Sequence, residues 1–250
     1  MTEFRYTVLE DRPALTKLWQ EAFGDGIAYI DAFFETAYAP ERSRVAVADG
    51  RIAGMHFWFD CQLAGEKYAY LYAVATDSRF RGQGIATALM EEGEALLRER
   101  GYAGVLLSPG SASLFRFYEK RGYETVGFRS EERIAAGEPI PVREVGEEEY
   151  AALRRKLLPE NGVRQEGENL HFLRRFCRFY AGEGFCAAVY QGEEFLPEYL
   201  GDRTKLPGLL GALKMKEASV RMIGNDTPCV MGKWFSPADK KTVYLGFVFD

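Results

Sequence analysis

One six-residue stretch, Arg81-Gly82-Gln83-Gly84-Ile85-Ala86, constrains this chain more than any other. It follows an alternating, tyrosine-rich run, Tyr68–Ala75, that reads as a strand. It leads into Ile85–Arg100, where Ile85, Ala88, Leu89 and Leu96 share one helical face. Glycines in such a place remove Cβ atoms, permit positive φ and let the backbone approach a ligand. Consecutive amides then form a concave anion nest. A helix beginning near Ile85 adds its unpaired N–H groups and the positive end of its dipole, and Arg79 and Arg81 bring charge close by. The chemistry suits a pyrophosphate. Two other phosphate loops are excluded: the dinucleotide fingerprint needs a third glycine where Thr87 stands, and a P-loop needs Gly-Lys-Ser/Thr. Taken alone, the pattern also describes an ordinary tight loop before a helix.

The surroundings predict an α/β (α+β) chain. Phe4–Leu9 alternates as a strand, and Arg12–Phe23 and Ile27–Tyr38 carry helical spacing. Ser43–Ala48 and Ile52–Leu63 flank Asp49-Gly50, a strong hairpin signal. With Tyr68–Ala75 they predict an antiparallel meander. Beyond the glycine turn, Gly104–Leu107 reads as a buried strand, Ser111–Arg121 as a helix closed by Gly122, and Tyr123–Phe128 as a further strand.

The segment Tyr72-Ala-Val-Ala-Thr-Asp-Ser-Arg-Phe-Arg-Gly-Gln-Gly-Ile-Ala86 resembles the central motif of the Gcn5-related N-acetyltransferases, the GNAT superfamily, and the element order up to residue 128 is similar to that fold. The resemblance implies a mixed, mostly antiparallel sheet flanked by helices, with acetyl-CoA as co-substrate. It also implies that Val74, Ala75 and Thr76 close a strand that splays from its neighbour and holds the pantetheine arm. Arg81, Gly82, Gln83, Gly84, Ile85 and Ala86 would cradle the pyrophosphate, chiefly through backbone amides.

Ser111-Ala-Ser-Leu-Phe-Arg-Phe-Tyr-Glu-Lys-Arg-Gly-Tyr123 resembles the family's later motif. Tyr118 falls on its tyrosine, a phenol that in the family commonly protonates the departing CoA thiolate. A thiol of pKa about 8.5 leaves better when protonated. By position alone Tyr118 reads as core, because it shares a stripe with Leu114 and Phe115. Many members have Asn where Ser111 stands; Ser111 or Ser113 could bond the pantetheine or cap the helix. No general base stands out. His56, Asp60, Tyr68, Tyr70 and Tyr72 lie on strands that border the acceptor cleft in this family.

AAGEPIP at Ala135–Pro141 lacks periodicity, and a boundary placed there gives residues 1–137 as the acyl-CoA-binding domain and 138–250 as a second, smaller α/β domain. In that half Glu147–Leu158 and Leu170–Tyr180 read as helices and Phe185–Tyr190 and Phe195–Tyr199 as strands. Leu206–Leu213 reads as a short helix, followed by strands at Ala218–Ile223, Pro228–Trp234 and Thr242–Phe249. The layout resembles the enhanced-intracellular-survival type of GNAT protein, which has a degenerate second GNAT-like half. Gly201-Asp-Arg-Thr-Lys-Leu-Pro207 has no glycine nest, so a second CoA site is not expected. In that type the C-terminal carboxylate can assist as base; Asp250 is the candidate here, against the simpler reading of a frayed terminus.

Composition bounds the partners. With net charge −5 and two histidines, no nucleic-acid-coating face and no histidine-rich metal site are expected. Four cysteines without ligand spacing read as buried or partly buried thiols of a reducing, cytoplasmic compartment. No apolar run reaches about 20 residues, so no membrane span is expected. The resemblance thus points to metal-free transfer from acetyl-CoA to an amine of a small molecule or peptide, directly, since no cysteine falls in either motif. The alternatives are a non-catalytic acyl-CoA-binding module and a transferase using another acyl-CoA. Oligomeric state and acceptor are left open.

Overall fold

The computed structural model describes residues 2–236 and 242–249. The chain opens with β1 (Glu3–Arg5), α1 (Arg12–Phe23), α2 (Ile27–Thr36) and the meander β2 (Ser43–Ala48), β3 (Arg51–Leu63) and β4 (Glu66–Thr76). Asp49 and Gly50 both take positive φ, 51° and 70°, and Ala64 and Gly65 repeat the arrangement at 52° and 84°. Such turns twist in the sense the flanking strands require. Next come α3 (Ile85–Glu99), β5 (Gly104–Leu107), α4 (Ala112–Glu119) and β6 (Glu124–Ala135). The remainder is β7 (Arg143–Val145), α5 (Glu147–Leu157), α6 (Glu168–Arg174), β8 (Cys177–Gly182), β9 (Phe185–Tyr190), β10 (Phe195–Leu196), β11 (Glu198–Gly201), α7 (Leu206–Ala212), β12 (Glu217–Ile223) and β13 (Thr227–Trp234).

Among the described residues nine strands form one mixed sheet, ordered β1-β2-β3-β4-β5-β13-β6-β12-β10, and four form a second, ordered β11-β9-β8-β7. Strands late in the sequence therefore complete the sheet begun by the early ones. β13 lies between β5 and β6, pairing Met231 with Leu107 and Thr227 with Arg129, and β12 follows β6 from Ile223↔Arg129 to Glu217↔Ala135. Alternation along β3 sends Phe57 and Phe59 to one side of the sheet and Trp58 to the other. The first side packs on Trp19 of α1 and Phe33 of α2; the second packs on Leu97 of α3 and Tyr118 of α4.

Several elements differ from the sequence expectation, among them the first strand, which covers Glu3–Arg5 and not Phe4–Leu9. The helix expected to run to Tyr180 stops at Arg174, and Cys177, Phe179 and Ala181 bury alternate positions as β8. The strand expected over Phe195–Tyr199 is broken at Pro197, which has no N–H to donate, so β10 and β11 join different sheets. Thr242–Phe249 builds no strand; its ladder contacts are isolated bridges of Val243 to Gly127 and Tyr244 to Gly162. Conversely, β6 runs on to Ala135, well past Phe128, because β12 and β13 flank it. All four cysteines are buried, and no helix among the described residues is long and apolar enough to cross a membrane.

Candidate active site

β4 stays hydrogen-bonded to β3 as far as Thr76↔Gly54. Its parallel pairing with β5 covers only Tyr68–Tyr70 against Gly104–Leu106. From Leu71 onward the β5-facing edge of β4, six residues long, has no strand partner among the described residues. An extra residue in β4 between Ala75 and Tyr72, opposite Met55 and Phe57, marks a bulge, and Ala73 there takes φ 50°. Bulges re-aim side chains at such points. Val74 consequently packs with Leu71, Leu107 and Tyr118 on the α3/α4 side, while Ala73 and Ala75 join the core beneath α1 and α2.

The glycine turn begins just beyond Thr76. Gly82 and Gly84 have φ 76° and 80°, left-handed values that strain any residue with a Cβ. Gly84 is also the N-cap of α3, without a side-chain cap, so the amides of Ile85, Ala86 and Thr87 have no acceptor among the described residues. Ile85 anchors the helix start by packing on Ala46 and Ala53. Arg81 donates Nε to the Thr76 carbonyl at 3.2 Å and makes no ion pair among the described residues. Gln83 donates Nε2 to the Arg79 carbonyl at 3.1 Å. Arg79 itself is committed to Asp77, whose carboxyl it holds down at about 2. Of the two arginines expected to charge the turn, Arg81 alone is unneutralised.

Tyr118 projects from α4 into the cluster that contains Leu71, Leu107 and Val74. Its ring meets Phe117 and Tyr123 edge-on, at 5.2 Å and 5.6 Å, and the residue is 6% exposed. Burial pushes its phenol up to about 12, while its hydroxyl has no hydrogen bond among the described residues. Ser111 caps α4 by accepting from the Leu114 amide at 3.4 Å, and its Oγ lies 2.9 Å from Ser113 Oγ. The cap therefore belongs to Ser111, and Ser113 bonds the capping hydroxyl.

Few of the residues considered for a base remain in that role. His56 is sealed beneath α3 against Gly93 and Trp58, and burial pushes it down to about 4. Asp60 accepts from Tyr102 and pairs with Lys67 at 3.2 Å. Tyr72 Oη lies 2.8 Å from Tyr29 Oη, and burial holds its phenol well above the usual range. Asp250 lies outside the described residues, but its neighbour Phe249 is described. Phe249 packs on Phe59, Tyr72 and Phe172 at 4.7, 5.7 and 5.0 Å, and its amide donates to Tyr70 Oη at 3.4 Å. Sequence reading missed Tyr29, Phe172 and Phe249 as a wall beside Tyr72. They come from three distant stretches, and nothing local marks their meeting.

Residues 3–126 match the acetyltransferase (GNAT) domain family. In fold, the chain is similar to a GCN5-related N-acetyltransferase from Anabaena variabilis, with TM-score 0.77 and 13% identity over 94% of this chain and 73% of that one. A Pyrococcus horikoshii protein aligns over 99% of this chain and 94% of its own, with TM-score 0.71 and 17% identity. Eis1 from Mycobacterium abscessus has TM-score 0.66 and 13% identity over 90% of this chain and 66% of its own. No curated protein sequence matches the chain significantly.

Proposed function

Residues 3–126 make this chain a member of the GNAT acetyltransferase superfamily, and on that premise we propose that it moves an acetyl group from acetyl-CoA directly to an amine of a small molecule or peptide. The observation that carries this reading is the meeting of Tyr118, Leu71, Leu107 and Val74 in one cluster where β4 leaves β5, with the phenol hydroxyl making no hydrogen bond among the described residues. The residues present suit the donor. The positive-φ glycines and free first-turn amides of α3 fit an anion, and the open edge of Leu71–Thr76 fits an extended, amide-bearing arm.

Bound acetyl-CoA supplies an activated acyl carbon on a sulfur leaving group. The backbone of Val74–Thr76 orients the arm by strand-like hydrogen bonds, and Arg81 with the amides of Gly82–Ala86 fixes the phosphates. An amine approaching from the Tyr29–Tyr72 side attacks the acyl carbon, the carbon–sulfur bond breaks, and Tyr118 Oη gives its proton to the sulfur. The attacking nitrogen sheds its proton to a base, for which Asp250 is our candidate. Residues 138–250 are, in this reading, a degenerate GNAT-like unit. Where a second phosphate turn would stand, a short helical turn, Arg203–Lys205, leads into α7 with Pro207 in its first turn.

Release of free thiol from acetyl-CoA, followed with a panel of amines, tests the activity. If no amine of the panel raises thiol release above the rate without enzyme, the catalytic reading fails and an acyl-CoA-binding module is left. Titration with acetyl-, succinyl- and longer acyl-CoA then ranks the donors. An unchanged rate after two residues are added beyond Asp250 removes its terminal carboxylate from the mechanism.

A further inference from the structure

Arg121 stands at the end of α4, and its guanidinium reaches across to α3. Nε donates to Thr87 Oγ1 at 3.1 Å, Nη2 donates to the same hydroxyl, and Nη1 donates to the Phe117 carbonyl at 2.6 Å. The guanidinium carbon lies 3.4 Å from the centre of the Phe117 ring. A side chain tied at this many points has given up most of its rotamer freedom, which is worthwhile only if its position matters. Despite this, Arg121 makes no ion pair among the described residues.

The location sharpens the anomaly. Thr87 is the third residue of α3, so the fixed cation sits at the positive end of that helix dipole, where cations are disfavoured. Partial burial also works against its charge and lowers its pKa from the usual arginine value, with Tyr118 and Glu91 opposing that from a distance. Beside it a cavity of about 240 Å³ opens between α3 and the end of α4, with Lys120, Lys233, Glu91 and Glu94 on its wall. Lys233 is neutralised there by Glu94 at 2.6 Å, and Glu91 acts on Arg121 from a distance without an ion pair to it among the described residues.

A planar guanidinium with N–H groups to spare, locked next to free helix amides and with no carboxylate bonded to it among the described residues, is complementary to a phosphate. We propose that Arg121 is a phosphate clamp for the ADP half of CoA, held in place by Thr87 and Phe117. This rests on the donor reading above. Thr87 directly follows the Gly82–Ala86 turn, so the guanidinium it holds stands beside the phosphates that the turn would cradle.

Titration calorimetry on the full chain tests it, using CoA, 3′-dephospho-CoA and S-acetylpantetheine as probes. Arg121→Leu should weaken CoA binding roughly 10- to 100-fold, the range for a charge-assisted contact, and Arg121→Lys should fall between it and wild type. If the contact is the 3′-phosphate, dephospho-CoA binds wild type and Arg121→Leu alike. If it is the pyrophosphate, both nucleotides lose affinity. Either pattern supports the clamp. Arg121→Leu that binds CoA as wild type does, or that loses the phosphate-free acetylpantetheine to the same extent, overturns it. A wild-type chain that binds no CoA overturns the donor reading instead.

Discussion

Glu198 of β11 grips Arg154 of α5 with both carboxylate oxygens, at 2.7 Å to Nε and 2.9 Å to Nη2, and both side chains are sealed from solvent. Tyr150 donates to the same carboxylate at 2.8 Å, and Arg154 also donates to the Gln165 carbonyl. Gln165 in turn donates to the Phe247 carbonyl at 3.0 Å, and Arg154 lies over the Phe247 ring. Through these contacts the ion pair holds the segment that carries Phe249 to the wall beside Tyr72. Glu198→Gln leaves a buried guanidinium without its counter-charge, so stability should fall by about 3–5 kcal/mol in urea unfolding. Adding Arg154→Met should recover part of that loss. A single variant as stable as wild type would show that the pair is not desolvated as described.

Tyr118→Phe should fold normally and bind CoA within about twofold of wild type, yet lose kcat by about 100-fold or more, the usual share of a positioned acid. Because burial pushes the phenol up to about 12, the proton stays on Tyr118 throughout an ordinary assay range. Any alkaline fall of kcat below about pH 10 must then belong to another group. A fall in that range that vanishes in Tyr118→Phe contradicts the buried acid.

Gly84→Ala places a Cβ on backbone at φ 80°, and that Cβ meets no protein atom within 4 Å. The penalty is conformational, about 1–2 kcal/mol, and should lower Tm by a few degrees. The added methyl projects into the space the phosphates would use, so CoA affinity should drop by more than stability alone explains. Equal CoA affinity in calorimetry would mean the turn is a structural bend and no cradle.

His56 links stability to acid. The folded chain keeps the imidazole neutral down to about pH 4, whereas the unfolded chain takes up a proton near 6.5. Between those values the unfolded state binds more protons, so stability falls as pH drops through the window, by up to about 3 kcal/mol. Urea midpoints measured from pH 7 to pH 4.5 should show this decline, and His56→Leu should flatten it. A profile equally steep in that variant would assign the decline to other groups.

Gly93 explains how an imidazole fits under α3. A Cβ there would stand 2.6 Å from His56 Nε2, so Gly93→Ala should destabilise by about 1–3 kcal/mol in wild type. Pairing it with His56→Ala should remove most of that cost, which a double-mutant cycle measures directly.

The backbone of the glycine turn and its flanking elements was legible in the sequence because its determinants are local. Positive φ at Gly82 and Gly84, the start of α3 at Ile85, the Asp49-Gly50 hairpin and the position of Tyr118 on α4 each follow from residues within a few positions of one another. The tertiary structure decided the rest. That β13 enters between β5 and β6, that β6 extends to Ala135, and that Pro197 divides β10 from β11 between two sheets depend on pairings across many tens of residues. The same holds for the wall of Tyr29, Phe172 and Phe249 and for which charges are paired. Arg79 is neutralised by a near neighbour, Arg121 makes no ion pair among the described residues, and Arg154 is buried against Glu198; a count of charges distinguishes none of these. Conformation is set by each residue's own backbone and steric limits, which the sequence states directly. Burial and electrostatic pairing are set by which surfaces meet, and that is decided only when the whole chain has packed.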